Sequence, residues 1–241
     1  GGEDSYWSDE RLVTLVKAIR SEFADAAITL SLGERSCESY KALKAAGADR
    51  YLLRHEAANS ALYSAIHPST MSHDNRIECI KTLIDTGYQT GMGMMIGVPG
   101  QSIDNIAEDI ALIASLRPQM VGIGPFIPHP ATPFAEHPAG DIELTLNTIA
   151  IVRLLLPDTL IPATTALATL CHGSHQKAIE AGANVIMPNL SPVSVRSKYA
   201  IYNGKASSGA EAVEGIDTLR AELESIGYTI NFNRGDYNEH I

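Results

Sequence analysis

Two stretches of this chain are built alike. Ala46–Leu53 (AGADRYLL) and Ala181–Met187 (AGANVIM) each read as a helix end, a glycine stop, a short turn and a buried strand. Around them the same order recurs, with apolar runs of strand length alternating with amphipathic stretches of helical period. Such an alternation predicts a parallel sheet with helical crossovers packed on it. The spacing predicts strands at 27–32, 50–54, 91–97, 120–124, 160–165 and 184–188. Helices are expected at 8–23, 36–46, 59–66, 72–86, 102–116, 142–155 and 210–225, with a further helix ending at Gly182. The expected class is α/β, of the (β/α)8 TIM-barrel type. It is incomplete here, because the six strands read from the sequence fall short of the eight that close a barrel.

The chain opens Gly1-Gly2-Glu3-Asp4, without a methionine, as if at the tail of a strand. An N-terminal truncation that removes the first two strands is the expectation. The lost strands would leave sheet edges and core surface uncovered, so poor solubility or partner contacts through the open barrel side are expected. A well-behaved monomer in size-exclusion chromatography would count against this. No linker or composition shift divides residues 1–241, which are expected as one partial barrel domain with a C-terminal helix and tail from about 205.

A formal charge of −10 argues against nucleic acid or an anionic membrane surface as partner. No apolar run reaches the length of a membrane span, and the first residues do not read as a signal peptide. Cys37, Cys79 and Cys171 are scattered, which suits a reducing cytoplasm and no disulfide framework. The sequence has no phosphate-cradling P-loop, no Gly-x-Ser-x-Gly elbow and no dinucleotide fingerprint, so hydrolase and nicotinamide chemistry lose ground.

The glycine-spaced stretch Gly91–Ser102 leaves one side of a strand bare and feeds through a Pro-Gly turn into a helix, with Ser102 as N-cap. Something large and flat fits against such a strand, with Met94 and Met95 as soft walls; close strand packing is the plainer explanation. In parallel barrels function gathers where strands end. The polar residues there are Glu3, Thr29, Ser31, Arg54, Glu56, His129, Thr164, Thr165 and Asn189, with Met187 among them. Hydroxyls, a guanidinium and a carboxylate on an apolar rim suit a small zwitterionic or anionic ligand with a sugar hydroxyl. The duller alternatives are a structural Arg54–Glu56 pair, an idle loop histidine at 129 and a surface helix, rather than a metal site, around Cys171, His172 and His175.

These residues resemble the radical S-adenosylmethionine (SAM) enzymes of the biotin-synthase-like group, and within it the [FeFe]-hydrogenase maturases. The matching stretches are Gly1–Asp4, ITLSLGER at 28–35, AGADRYLLRHE at 46–56, GMMIGVPGQ at 93–101, VGIGPFIPHPATP at 121–133, LLLPDTLIPATTAL at 154–167 and AGANVIMPN at 181–189. The resemblance implies a (β/α)8 barrel with SAM and a [4Fe–4S] cluster as cofactors, in a cytoplasmic enzyme. Reductive cleavage of SAM would give a 5′-deoxyadenosyl radical acting on a small anionic or amino-acid-like substrate in assembly of the hydrogenase active site. It implies that Gly1, Gly2 and Glu3 contact the SAM amino group, Glu56 the ribose and Arg76 the carboxylate. Met95 and Ile96 of the glycine strand, with Phe126, Ile127 and Pro128, would pack against adenine. Thr29, Ser31, Arg54, Thr164, Thr165 and Met187 would line the substrate cavity. The family's Cys-x-x-x-Cys-x-x-Cys loop does not occur in this sequence, so this chain is expected to bind no cluster and to be inactive by itself. A methylornithine-synthase-like enzyme and a non-catalytic module for small anions or nucleosides are the alternatives.

Overall fold

The computed structural model describes residues 4, 6–170, 173–187 and 215–237. Its residues form two compact units: 1–94 with 107–122 and 232–241, and 95–106 with 123–231.

The first unit contains α1 (Asp9–Glu22), β1 (Thr29–Leu30), α2 (Cys37–Ala46), β2 (Arg50–Leu52), α3 (Ser60–Ile66) and α4 (His73–Asp85). It also holds β3 (Gln89–Ile96) as far as Met94, α5 (Ile103–Leu116) from Ala107, and β4 (Met120–Pro125) as far as Gly122. The strand order is β1-β2-β3-β4, with β1 parallel to β2 and β2 parallel to β3. Helices start where side chains can satisfy free backbone donors: Ser36 Oγ accepts from Ser39 N–H at 3.1 Å, and Ser72 Oγ from Asn75 N–H. The core stacks Tyr40 edge-to-face on Tyr51 (5.1 Å) and Tyr51 on Tyr88 (5.7 Å), among fully buried Leu43, Ile80, Leu83, Met92 and Met94.

The first strand is shorter than the alternation at 27–32 predicts. Its partner β2 has only three residues, and the ladder begins at Thr29↔Arg50. Beyond Leu30 the chain turns at Gly33 (φ 73°), whose carbonyl accepts the Tyr51 hydroxyl at 2.8 Å. β2 likewise stops at Leu52, so Arg54 and Glu56 stand beyond the strand rather than on it.

The second unit contains the ends of β3 and β4, the first turn of α5, α6 (Ile142–Leu155), β5 (Pro162–Ala163), α7 (Thr165–Leu170), α8 (Ser174–Glu180), β6 (Val185–Ile186) and α9 (Ile216–Ser225). β5 and β6 are parallel, Pro162 opposite Val185. Ser102 Oγ accepts from Asn105 N–H at 3.2 Å while Asn105 Oδ1 accepts from Ser102 N–H, a reciprocal cap. Gly173, in a left-handed conformation (φ 72°), separates α7 from α8 where one helix was predicted. Ile149, Val152, Ile161 and Leu167 form the core.

Candidate functional site

Where β2 ends, the first unit forms an open pocket of about 250 Å³. Ser31, Gly33, Leu52 and Leu53 line it together with three charged side chains, Arg54, Glu56 and Arg76. Four residues singled out from the sequence therefore meet: Ser31, Arg54, Glu56 and Arg76. Thr29 is exposed on β1 and is not among the lining residues.

Glu56 adopts a left-handed backbone (φ 63°), rare for a side chain with a Cβ, and its N–H donates to Gly93 O at 3.1 Å. One carboxylate oxygen, Oε2, is buried without a hydrogen-bond partner. Arg54 is half-buried, and among the described residues no hydrogen bond or ion pair engages it, so the structural Arg54–Glu56 pair is not formed. Arg76, on α4 and only 6% exposed, lies 2.8 Å from Glu34 Oε1 through its Nε. Its Nε–H points to the Tyr63 hydroxyl, 3.3 Å away. The lining thus presents one balanced cation, one unengaged cation and one carboxylate with an open acceptor. Leaving Glu56 Oε2 and Arg54 unsatisfied costs desolvation energy that a ligand offering a hydroxyl and an anionic group would recover.

In the second unit, Phe126 N–H donates to Ile96 O and Phe126 O accepts from Gly140 N–H, both at 2.8 Å. This fixes the Phe126-Ile127-Pro128 loop against the end of β3. Gln101 ties the same strand end, accepting from Gly97 N–H at 2.6 Å and donating to Met95 O at 3.0 Å. Thr164 is buried beside Gly124, and its Oγ1 accepts from Leu167 N–H in the first turn of α7, which Thr165 opens. Met187 is 56% exposed. His129 Nδ1 accepts from Ala131 N–H within its own loop. Gly1, Gly2, Glu3, Cys171, His172 and Asn189 lie outside the described residues.

Among the described residues no group of three or more His, Cys, Asp or Glu could hold a metal ion. Cys37 sits on α2 and Cys79 on α4; burial pushes the Cys79 thiol up, disfavouring the thiolate a cluster needs. These thiols do not fit an iron–sulfur cluster, whereas the cavity lining fits a zwitterionic nucleoside. Among the described residues no helix is long and apolar enough to cross a membrane.

Sequence reading missed Glu34 and Tyr63, the partners of Arg76, and the buried pair His55–Asp109 behind Glu56. Asp109 did leave a signal. It falls between buried Ile106 and Ile113 on the apolar stripe of α5, where a lone carboxylate calls for a buried partner.

No protein-family model matches the chain. Among curated proteins, it is 48% identical over 226 residues to the [FeFe] hydrogenase maturase subunit HydE of Thermotoga maritima, which covers 94% of this chain and 64% of that protein. It is 33% identical over 157 residues to biotin synthase 1 of Corynebacterium diphtheriae, covering 64% of this chain and 44% of that protein. The chain therefore spans less than two thirds of the length of these relatives. Among solved structures, methylornithine synthase superposes with a TM-score of 0.74 at 22% identity, over 95% of this chain and 66% of that one, which shows the fold.

Proposed function

We propose, from its similarity to the [FeFe]-hydrogenase maturase HydE and to the biotin synthases, that the chain forms the SAM- and substrate-binding part of a radical SAM enzyme. Its substrate is a small anionic molecule, and its task lies in assembly of the [FeFe]-hydrogenase active site. The observation that carries this reading is the pairing, in one cavity, of a buried carboxylate oxygen without a partner and an unengaged guanidinium.

SAM, if bound here and given one electron from an iron–sulfur cluster, would supply the 5′-deoxyadenosyl radical of this enzyme type, with methionine as the other product. The chain's own residues bind and orient. Glu56 Oε2, a buried oxygen without a partner, would accept a ribose hydroxyl in a charge-assisted hydrogen bond. Arg76, held in place by Glu34 and Tyr63, faces the amino-acid end of SAM; Arg54 takes an anionic group of the substrate through its planar fork. Leu52 and Leu53 give this end of the pocket an apolar wall. The 28% identity to the 3-methylornithine synthase of Methanosarcina acetivorans, over 77% of this chain, supports one second reading, an enzyme of the methylornithine-synthase type in which Arg54 binds an anionic group of the substrate.

The test is calorimetric titration of SAM into the full-length protein carrying Glu56→Gln. Affinity falls by about 1–3 kcal/mol, the scale of a charged hydrogen bond. Unchanged affinity removes Glu56 from the SAM site.

A further inference from the structure

His55 and Asp109 are both fully buried, and neither touches the cavity. Asp109 reaches from α5 to the turn that follows β2. Its Oδ1 accepts from the Ala58 N–H at 2.6 Å and lies 3.2 Å from His55 Nε2. The two anchored positions flank Glu56. Between them the chain makes a tight turn, Ala57 N–H donating to His55 O at 2.8 Å, and Glu56 takes its left-handed φ of 63°. A residue with a Cβ holds that conformation only where its surroundings over-determine it. On one side the β3 backbone does so, through Gly93 O. On the other side the clamp is a single carboxylate oxygen shared by residues 55 and 58.

We propose that His55 and Asp109 are positioning residues, which hold the 55–58 turn so that the Glu56 carboxylate faces the cavity. The proposal rests on the reading of Glu56 as a SAM-binding group. A buried carboxylate is a costly way to fix a turn that an apolar contact could pack. Here it fixes two points at once, and the residue between them carries the open acceptor of the site. Asp109 thus acts on the ligand only through Glu56.

A double-mutant cycle in the full-length, cluster-loaded protein tests this, read by calorimetric SAM titration alongside thermal unfolding. Asp109→Ala is expected to weaken SAM about tenfold, while Asp109→Asn, which keeps the Oδ1 acceptor, stays within about threefold of the parent. In a Glu56→Gln background Asp109→Ala changes affinity by less than about twofold, because the group it positions is already disabled. His55→Gln follows the same pattern with a smaller loss, and carries the test if Asp109→Ala does not fold. A loss that multiplies in the Glu56→Gln background, or parental affinity in both folded Asp109→Ala and His55→Gln, overturns the positioning role. If Glu56→Gln itself binds SAM as the parent does, the reading of Glu56 fails instead.

Discussion

Arg54 lies along the bare backbone of Gly93, its Cγ 3.2 Å from the place a Cβ on Gly93 would take. The carbonyl of the same glycine receives the Glu56 N–H at 3.1 Å. One residue without a side chain therefore positions both charged groups that approach the cavity from the end of β2. The strand's glycines allow two readings from the sequence, room for a ligand or close strand packing; at Gly93 the space is taken by Arg54 and by the neighbouring strand, which is the packing.

Gly93→Ala would put a Cβ 2.2 Å from Gly122 O, a backbone atom that cannot swing away. The expected cost is at the upper end of the overpacking range, about 3 kcal/mol, read as a lowered midpoint in thermal unfolding. Gly122→Ala meets only Arg54 atoms at 3.4 Å or more and leaves the midpoint nearly unchanged. Equal effects of the two substitutions would contradict the packing described here.

Arg54→Ala in the full-length enzyme leaves SAM affinity within about threefold of the parent and abolishes turnover, since the removed guanidinium serves the substrate's anionic end. Loss of both would assign Arg54 a structural role. SAM titration beside a turnover assay separates these outcomes.

Tyr51→Phe removes the hydroxyl that donates to Gly33 O at 2.8 Å where the chain lines the cavity. The expected loss of stability is about 1 kcal/mol, because the Tyr40 hydroxyl, 3.4 Å from the same carbonyl, still satisfies it. Tyr40→Phe added to Tyr51→Phe leaves that carbonyl without either donor and costs more than the two single changes summed. Strict additivity in denaturant unfolding would show that the two hydroxyls do not share this acceptor.

The segment Arg234–Tyr237 is tied beneath the sheet by charge. Asp236 accepts from Arg50 Nη2 at 2.9 Å, and that hydrogen bond, with the charges of Arg234 and Arg50, holds its carboxyl below the usual 3.8. Burial alone would raise Asp49, but the Ile28 N–H and the Arg234 and Arg20 guanidiniums bring it down as well. Carboxyls depressed in the folded state stabilise it fully above the unfolded value near 3.8, and that contribution disappears as pH falls through the folded values. Stability is therefore expected to fall on acidification below about pH 4, and Asp236→Asn to flatten that part of the curve. Parallel pH profiles of unfolding for the two proteins would rule the tie out.

The repeated AGA turn was legible because the same short signature, a helix end, a glycine stop and a strand, occurs twice in the sequence. In each copy an arginine of an earlier helix donates to the glycine carbonyl, Arg20 Nη2 of α1 to Gly47 O and Arg153 Nε of α6 to Gly182 O, both at 2.8 Å. In each copy the next polar residue accepts the N–H that starts the adjoining strand segment: Asp49 takes Ile28 N–H and Asn184 takes Ile161 N–H, both at 2.8 Å. A Cβ on either glycine would press on the arginine side chain, at 3.0 Å and 2.7 Å, so the glycines stand out in the sequence. Strand lengths were not legible, since the reach of β1 is set by its pairing with the three-residue β2 and not by its own alternation. Nor were the pairings of Arg76 with Glu34 and of His55 with Asp109, each made across elements the chain only later brings together.

The most direct test of the account is a crystal structure of the full-length protein with SAM bound, read as one distance. A ribose hydroxyl oxygen is expected about 2.5–2.7 Å from Glu56 Oε2, the length of a hydroxyl–carboxylate hydrogen bond. Bound SAM whose ribose makes no contact with Glu56, with Oε2 still unpartnered, would contradict it.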